Sequence, residues 1–547
     1  MPKYVFVTGG VVSSVGKGVV AASLGLLLES RGLKIALMKM DPYINVDPGT
    51  MNPYEHGEVF VTDDGAETDL DLGHYQRFTH ANLSRKSNVT TGGIYNTVIQ
   101  KERRGEYLGK TVQVIPHITD EIKSRIRMLT TETDKDADVA IVEVGGTVGD
   151  IEGLPFLEAI RQFRLEVGVE DCCFVHVTLV PYIEAAGELK TKPTQHSVRA
   201  LRDIGIQPNV IVCRTGTNKL GPDQRRKVAM FCDVTDDAII SAEDIKPLYA
   251  IPLNFQRQGL DTTVLRLLHI DAKEGDLSEW TAMVNKLVHP SRKVRIAAVG
   301  KYISHHDAYK SINEAFTHAG VANDCRVNLE WVDSEQFENE SNPAVVLDPY
   351  DGILIGPGFG SRGIEGKIKA VRFAREQKKP YFGICLGMQI AVIELTRSCL
   401  GAAEANSTEF NTETPDPVIS LLSEQRGVKE MGGTMRLGAY RCELKPGTKA
   451  YTAYQSNVIY ERHRHRYEFN NAYRERLENE AGLVVSGVHP RGDHELVEII
   501  ELRNHPWFCA SQFHPEFKST PMAPQPLFRE FVKASLDNQK KNKRSGL

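Results

Sequence analysis

Cys385 lies between two glycines at the end of a short apolar run, in the pattern Gly383-x-Cys385-x-Gly387. Residues 380–392 predict a buried strand, a sharp turn and then a helix, so that the thiol projects from the turn. The N-terminus of a helix carries partial positive charge, which favours the thiolate form of a cysteine. The pattern therefore predicts a cysteine nucleophile that forms a covalent intermediate.

A thiolate nucleophile needs a base and a group that orients the base, and residues 507–516 offer both. This run predicts a strand that ends in His514-Pro515-Glu516. In an extended chain, residues i and i+2 share one face, so Glu516 is expected to hold the His514 imidazole. Gly358, in a glycine loop after another predicted strand, is expected to offer an oxyanion hole. A buried cysteine and an unrelated histidine are the alternative, but these features together favour a Cys-His-Glu triad.

A second kind of chemistry is indicated at the start of the chain. Tyr4–Val7 predicts a buried strand, residues 8–18 form a Gly-rich loop that contains Lys17, and residues 19–30 have helical periodicity. Backbone N–H groups, the helix N-terminus and a lysine together form a phosphate cradle. The loop departs from the common P-loop, because Gly18 stands where a Ser or Thr usually contacts Mg²⁺. An ordinary strand-to-helix turn is the alternative interpretation.

Carboxylates follow two of the predicted strands and are expected to replace the missing hydroxyl. Residues 63–71 contain five carboxylates in nine positions, and Glu143 ends the predicted strand 138–144. Ligands of parallel α/β sheets bind at the carboxyl ends of strands, and Mg²⁺ prefers oxygen ligands. Asp71 and Glu143 are therefore predicted to hold Mg²⁺. Each acid taken alone is better explained as a solvated or helix-capping residue.

Residues 188–196 are rich in groups that bind a phosphate chain and a base. Lys190, Lys192 and Gln195 stand together with two threonines in this segment. A second nucleoside triphosphate would fit these donors. A helix start with solvated lysines is the simpler alternative for the segment alone.

The predicted elements that position these residues are apolar strands alternating with helices, at 34–40, 138–144, 173–180 and 210–213 and again from residue 294. This pattern predicts an α/β protein with two doubly wound, mostly parallel sheets. We expect domains at residues 1–270 and 294–540, a helical linker at 271–293 and a basic tail at 541–547.

Composition narrows the class of protein. The chain has 547 residues, a net charge of −5, 41% hydrophobic residues and nine cysteines without a framework spacing. The acidic balance argues against nucleic acid as a partner. The cysteines suggest free thiols in a reducing compartment, and no signal peptide or long apolar run is evident, so a cytoplasmic protein without a membrane partner is expected.

These motifs carry a resemblance to known families. The C-terminal half resembles the class I glutamine amidotransferases in its Cys385 turn, its glycine loop and its His-Pro-Glu. The N-terminal half resembles the amidoligase domain of the CTP synthase family. The most specific stretches are residues 9–18, 39–51, 64–75, 145–152 and 190–197.

The resemblance implies a P-loop NTPase-like synthetase domain and a glutamine amidotransferase domain that together aminate UTP to CTP. ATP and glutamine would be the other substrates, through a 4-phosphorylated UTP intermediate. ATP would contact Ser14, Val15, Gly16, Lys17, Gly18, Val19 and Asp71, with Mg²⁺ on Asp71 and Glu143. UTP, or CTP as feedback inhibitor, would contact Ser13, Asp150, Ile151, Glu152, Lys190, Thr191, Lys192, Pro193, Thr194, Gln195 and Lys227.

The resemblance also implies glutamine contacts, activation by GTP and a homotetramer, with filaments in some members. Glutamine would contact Gly358, Leu386, Gly387, Met388, Gln389, Glu409 and Arg466.

Gly18, which departs from the common P-loop, is part of the phosphate-loop pattern of the CTP synthase family. Pro357 is a departure, since a Gly-Gly pair is expected in the oxyanion loop and proline has no N–H to donate.

Two other interpretations remain open at this point. Another glutamine-dependent amidoligase, acting on a carboxylate, would share the phosphate loop, although the segment from Lys190 to Gln195 argues for a second triphosphate. A nucleotide-switched assembly protein with a vestigial glutaminase is the second. The intact set of Cys385, His514 and Glu516 argues against it.

Overall fold

The chain forms two compact units in the structure, a computed structural model that describes residues 2–133, 136–301, 306–339, 342–421, 434–492 and 494–545. Unit 1 comprises residues 1–48 and 68–284. Unit 2 comprises residues 49–67 and 285–547. Each unit contains its own large sheet.

Unit 1 is built on a parallel sheet of seven strands. The strands are β1 (Lys3–Gly9), β2 (Ile35–Asp41), β3 (Asn88–Thr90), β4 (Val139–Val144), β5 (Cys172–Leu179), β6 (Val210–Gly216) and β7 (Ile239–Glu243). Their spatial order is β7-β6-β5-β1-β4-β2-β3, and every pairing is parallel. The central strands are buried along almost their whole length, which explains their continuous apolar sequences.

Helices accompany this sheet. They are Lys17–Ser30, Asp71–Phe78, Thr91–Arg103, Thr119–Met128, Leu154–Val167, Lys192–Asp203, Pro222–Cys232, Ile251–Arg257 and Leu260–Leu267. The alternation of strands and helices confirms the predicted doubly wound α/β class, and the strand bounds lie within a few residues of the prediction.

Unit 2 has a mixed sheet of nine strands. These are β8 (Arg292–Gly300), β9 (Cys325–Asp333), β10 (Gly352–Ile355), β11 (Tyr381–Ile384), β12 (Arg436–Leu444), β13 (Val458–His465), β14 (Leu483–Arg491), β15 (His494–Leu502) and β16 (Phe508–Ser511). The order is β9-β8-β10-β11-β16-β15-β14-β12-β13. The first five strands are parallel and the rest antiparallel.

The helices of unit 2 cover this sheet, and a small second sheet lies beside them. The helices are Pro53–His56, Lys310–Ala322, Gln336–Asn339, Ala344–Leu347, Ile364–Glu376, Leu386–Cys399, Lys449–Tyr454, Arg474–Glu480 and Pro526–Ser545. The small sheet joins Asn406–Ser407, Pro417–Leu421 and Tyr467–Phe469. Helix Leu386–Cys399 is apolar on nearly all sides because it is buried along its first eleven residues.

The units divide the chain differently from the predicted domains. Residues 49–67 belong to unit 2 although they follow the second strand of unit 1. The predicted linker contains helix Ser278–Val288, whose Trp280 is buried and donates from its indole N–H to the Tyr249 carbonyl oxygen at 2.8 Å. The last helix continues to residue 545, so the predicted basic tail is helical there, and residues 546–547 lie outside the described residues.

A buried ion-pair network holds the antiparallel side of the unit 2 sheet. Arg436 Nη1 lies 3.1 Å from Glu468 Oε1, and Arg436 Nη2 lies 2.6 Å from Glu498 Oε1. Burial raises the pKa of Glu468 to about 8, although the positive charge of Arg436 opposes this shift. The guanidinium therefore compensates two carboxylates that are expensive to bury.

Substitution of Arg436 by methionine should destabilise the protein strongly. It leaves Glu468 and Glu498 without their cation, which costs about 3–5 kcal/mol for a buried pair. Thermal unfolding followed by circular dichroism measures the loss. Arg295→Met is the matched control, because the Arg295–Glu330 pair is 44% exposed on both sides and should cost under about 1 kcal/mol. Equal shifts in the two variants would contradict this account.

Candidate functional site

Cys385 occupies a strained turn between β11 and helix Leu386–Cys399. Its backbone has φ 52° and ψ −102°, a conformation that is costly for a residue with a side chain. Glycine at 387 is required, since a Cβ there would lie 2.2 Å from the Ile355 carbonyl oxygen. The turn places the Cys385 side chain at the N-terminus of the helix, as the sequence predicts.

The structure brings His514 and Glu516 into direct contact. His514 Nδ1 lies 2.7 Å from Glu516 Oε1, and both side chains are buried. The other ring nitrogen, Nε2, is buried, and the Cys385 side chain interacts with the His514 ring as well. Strand β16 pairs with β11 through Ser511 and Ile384, so the two parallel strands deliver the base and the nucleophile at one edge of the sheet.

The extended geometry predicted for residues 514–516 is wrong. Strand β16 ends at Ser511, and residues Pro515–Lys518 form a 3-10 turn rather than extended chain. The contact arises because this turn folds Glu516 back toward the imidazole. Phe517 stacks on the His514 ring at 5.2 Å between centroids and supports it from one side.

The surroundings of His514 raise its pKa, so that the imidazole holds a proton at neutral pH. Burial alone would lower the pKa of His514, but the negative charge of Glu516 and the Cys385 sulfur outweigh it and raise this pKa from 6.5 to about 10. A protonated imidazole next to Cys385 is placed to give its proton to a leaving group. His514 can therefore act as a general acid at neutral pH.

Glu516→Gln should lower both the activity and the pH-dependent stability of unit 2. The raised pKa of His514 stabilises the folded state fully below pH 6.5, and this stabilisation disappears as the pH rises to about 10. The difference in thermal midpoint between wild type and variant should thus be largest in acid and shrink toward pH 10. Turnover that depends on the Cys385 nucleophile should fall about a hundredfold. Glu365→Gln, which alters a partly exposed pair with Arg397, is the control. A midpoint difference that is constant with pH would refute the assignment.

The glycine loop after β10 lies beside the Cys385 turn. A Cβ on Gly358 would lie 3.3 Å from the Leu386 side chain, so the loop backbone approaches the start of the helix closely. The loop is fixed by Glu409, whose Oε1 accepts from the Gly360 N–H at 2.8 Å, and by Lys301, which donates to the Phe359 and Gly360 carbonyl oxygens. This geometry suits backbone N–H groups that bind an oxyanion.

A cavity of about 550 Å³ in unit 2 opens onto these groups. Its lining includes His514 and three of the predicted glutamine contacts, Gly358, Glu409 and Arg466. The other predicted contacts, Leu386, Gly387, Met388 and Gln389, form the buried first turn of helix Leu386–Cys399. Glu409 and Arg466 bring a carboxylate and a guanidinium to one cavity, and these charges complement the α-amino and α-carboxylate groups of an amino acid.

Residues 49–51 and 58–59 line part of this cavity, which the sequence did not predict. Gly49 and Glu58 line the cavity, and Ser311 donates its backbone N–H to Glu58 at 2.8 Å. Arg462 Nε lies 2.6 Å from Asp63 Oδ1, and Arg464 Nε lies 2.9 Å from Glu67 Oε1. Two acids of the run at 63–71 therefore bind arginines of unit 2.

The loop at residues 8–18 in unit 1 has the geometry of a phosphate cradle. Gly16 has φ 99°, a conformation that favours glycine, and it precedes helix Lys17–Ser30. Lys17 is buried and donates from Nζ to the Gly146 carbonyl oxygen at 2.8 Å. A Cβ on Gly18 would lie 2.3 Å from Asp71 Oδ1, so glycine at 18 makes room for the Asp71 carboxylate.

Lys39, for which the sequence predicts no functional role, lies among the carboxylates. Its Nζ lies 2.9 Å from Glu143 Oε1 and also pairs with Asp71. Burial would lower the pKa of Lys39, but Asp71 and Glu143 raise it well above its usual value. In return, Lys39 overcomes the effect of burial and lowers the pKa of Asp71 to about 2. The sequence hints at this role of Lys39 only by placing a lysine within an otherwise apolar strand.

The cluster has chemistry suited to a divalent cation. Burial, together with the negative charge of neighbouring carboxylates, raises the pKa of Asp41, Asp69 and Glu143, and the positive charge of Lys39 opposes this shift. Among the described residues, no three His, Cys, Asp or Glu side chains form a complete metal site. Mg²⁺ commonly uses one or two carboxylates with water and phosphate oxygens, so Asp71 and Glu143 fit the ion together with a nucleotide.

The predicted second nucleotide segments lie around the carboxyl ends of the unit 1 strands. Thr194 donates to the Leu179 carbonyl oxygen at 3.2 Å, next to the end of β5. Lys190 pairs with Glu188, and the positive charge of Lys227 also acts on Glu188. Thr191, another predicted contact of this set, is buried. The remaining predicted contacts are exposed or half-buried, namely Ser13, Asp150, Ile151, Glu152, Lys192, Pro193 and Gln195.

Comparison with known proteins assigns the family. Residues 3–270 match the family described as CTP synthase N-terminus, and residues 304–534 match glutamine amidotransferase class-I. A curated CTP synthase from Symbiobacterium thermophilum is 59% identical over 541 residues, covering 98% of this chain and 99% of that protein. One from Geobacter sulfurreducens is 59% identical over 542 residues, covering 99% of each. The chain belongs to the CTP synthase family.

A solved structure also matches part of this CTP synthase family member. The glutaminase domain of a Trypanosoma brucei CTPS with bound acivicin is 41% identical, covers 45% of this chain and 94% of that domain, and has a TM-score of 0.42. In the described part of the chain, no helix has the length and apolarity needed to cross a membrane.

Proposed function

We propose that two sites of this chain divide the reaction of the CTP synthase family, in which ATP drives the amination of UTP to CTP with ammonia from glutamine. Unit 2 would hydrolyse glutamine, and unit 1 would aminate UTP. The observation that carries the proposal is a Cys-His-Glu set in unit 2 together with a lysine-containing phosphate loop and paired carboxylates in unit 1.

Glutamine hydrolysis would proceed through a thioester on Cys385. The sulfur attacks the side-chain amide carbon, and the developing oxyanion is stabilised by backbone N–H groups near Gly358 and Leu386. The C–N bond breaks as His514 gives its proton to the departing ammonia. Water then adds to the thioester with His514 as base, the C–S bond breaks, and glutamate leaves.

The substrate contacts of this half follow from the cavity. We assign the α-amino and α-carboxylate groups of glutamine to Glu409 and Arg466, whose charges are complementary and which both line the cavity. The full proposed set of glutamine contacts is Gly358, Leu386, Gly387, Met388, Gln389, Glu409 and Arg466.

Amination in unit 1 would begin with phosphorylation of the 4-oxygen of UTP. That oxygen attacks the γ-phosphorus of ATP, ADP leaves, ammonia then adds at carbon 4, and phosphate departs to give CTP. Lys17 would neutralise charge on the transferring phosphoryl group. ATP phosphates would bind Ser14, Val15, Gly16, Lys17, Gly18, Val19 and Asp71.

Mg²⁺ held by Asp71 and Glu143 would supply charge neutralisation at the phosphates. Lys39 would orient both carboxylates. UTP, or CTP as feedback inhibitor, would bind Ser13, Asp150, Ile151, Glu152, Lys190, Thr191, Lys192, Pro193, Thr194, Gln195 and Lys227. The lysines of this set suit a second triphosphate.

Three properties of the family are further proposals for this chain. They are activation by GTP, assembly into a homotetramer, with filaments in some members, and a cytoplasmic location. Identity of 59% along almost the whole chain supports all three.

The test of the proposed function is a direct assay of CTP. Purified protein with UTP, ATP and Mg²⁺ should form CTP with either glutamine or ammonium as nitrogen source, followed by absorbance and confirmed by mass. Absence of CTP with both sources would overturn the substrate assignment and favour an amidoligase that acts on a carboxylate.

A further inference from the structure

Gln512 is buried beside Cys385, and the mechanism of glutamine hydrolysis proposed above gives Gln512 no role. Its side chain is fully buried, two residues before His514 and one after the end of β16. The backbone N–H of Gln512 donates to the Glu498 carbonyl oxygen at 2.8 Å, which fixes its main chain. Its side-chain nitrogen Nε2 lies 3.8 Å from Sγ of Cys385, within the range of an N–H···S hydrogen bond.

The orientation of the Gln512 amide follows from a chain of hydrogen bonds. The Tyr467 carbonyl oxygen can only accept, so the group that points to it at 3.1 Å must be the NH₂ group of Gln389. The same nitrogen lies 3.4 Å from the side chain of Gln512, which must therefore turn its oxygen toward Gln389. The NH₂ group of Gln512 is left facing the sulfur.

We propose that Gln512 donates a hydrogen bond to the sulfur of Cys385 and thereby stabilises its thiolate and fixes its direction of attack. This inference rests on the proposed function of Cys385 as the nucleophile of glutamine hydrolysis. A hydrogen bond to a charged acceptor is stronger than one to a neutral group, so the bond favours the thiolate over the thiol.

The same chain of bonds joins the nucleophile to the substrate site. Gln389 is one of the proposed glutamine contacts, and it holds Gln512 in the donating orientation. Binding of a substrate amide against Gln389 would thus act on the sulfur through a rigid pair of side chains. The triad and the substrate pocket are connected by these two amides.

The test measures how fast iodoacetamide alkylates Cys385 as the pH rises from about 5 to about 10, with the modified peptide quantified by mass spectrometry. Gln512→Met keeps the volume and removes the donor, and Gln512→Glu places an acceptor against the sulfur. The midpoint of the rate-against-pH curve should move up by about one pH unit in Gln512→Met, and further in Gln512→Glu, so that alkylation near neutrality falls about tenfold.

Gln525→Met is the matched control, because Gln525 is another buried glutamine of unit 2 that bonds Tyr454 and Glu461 instead. Its midpoint should equal that of wild type. Ammonium-dependent CTP formation in each variant reports that the protein is folded. Unchanged midpoints in both Gln512 variants would overturn the inference, whereas failure of wild type to form CTP would overturn the proposed function instead.

Discussion

Cys385→Ala should abolish CTP formation from glutamine while CTP formation from ammonium remains within about twofold of wild type. Without the sulfur no thioester can form, so glutamine-dependent turnover should fall by about a thousandfold or more. Ammonium bypasses this step, because it supplies the nitrogen directly to the phosphate-loop site. Steady-state assays with each nitrogen source measure the two activities separately.

The control for this substitution is Cys399→Ala. Cys399 ends the same helix that Cys385 precedes and is only partly buried, so its loss should leave both activities unchanged. Equal loss of both activities in Cys385→Ala would mean that the residue supports the fold rather than nitrogen supply.

Asp71→Asn should abolish the amination of UTP and leave the hydrolysis of glutamine intact, which is the reverse of the effect expected for Cys385→Ala. It removes one of the two carboxylates assigned to Mg²⁺ and breaks the ion pair with Lys39, so the phosphates of ATP lose their cation and the charge balance of the cluster changes. CTP formation should fall about a thousandfold with either nitrogen source. Release of glutamate from glutamine, measured separately, should persist, because Cys385 and His514 are untouched.

Asp223→Asn is the control, because it makes the same replacement of a carboxylate by an amide at a position away from the carboxylate cluster. Asp223 lies in unit 1 in an exposed pair with Arg226, and its substitution should alter neither activity. Normal ammonium-dependent CTP formation in Asp71→Asn would show that the metal and the ATP phosphates bind elsewhere.

The sequence was sufficient for those parts of the molecule that local patterns determine. The continuous apolar runs of β2 and β4 marked buried parallel strands, and the glycines around Cys385 marked a turn too tight for other residues. The contact between His514 and Glu516 was also predicted, although a 3-10 turn takes the place of the expected extended geometry. These features depend on residues that are close in sequence.

Features that depend on distant residues were not predictable in the same way. The acids Asp63 and Glu67 resembled cation ligands because they stand in one acidic run with Asp71, yet they bind Arg462 and Arg464, about 400 positions later. Lys39 looked like a strand residue until the fold surrounded it with carboxylates. The contact of Gln512 with Cys385 likewise exists only because β11 and β16 are neighbours.

The most direct test of the two-site account is one doubly labelled reaction, with [amide-¹⁵N]glutamine, [4-¹⁸O]UTP, ATP and Mg²⁺, analysed by mass spectrometry. The account predicts CTP that carries ¹⁵N and inorganic phosphate that carries ¹⁸O. The first label shows that glutamine supplies the nitrogen, and the second shows that ATP phosphorylates the 4-oxygen before amination. CTP without ¹⁵N, or phosphate without ¹⁸O, would contradict the account.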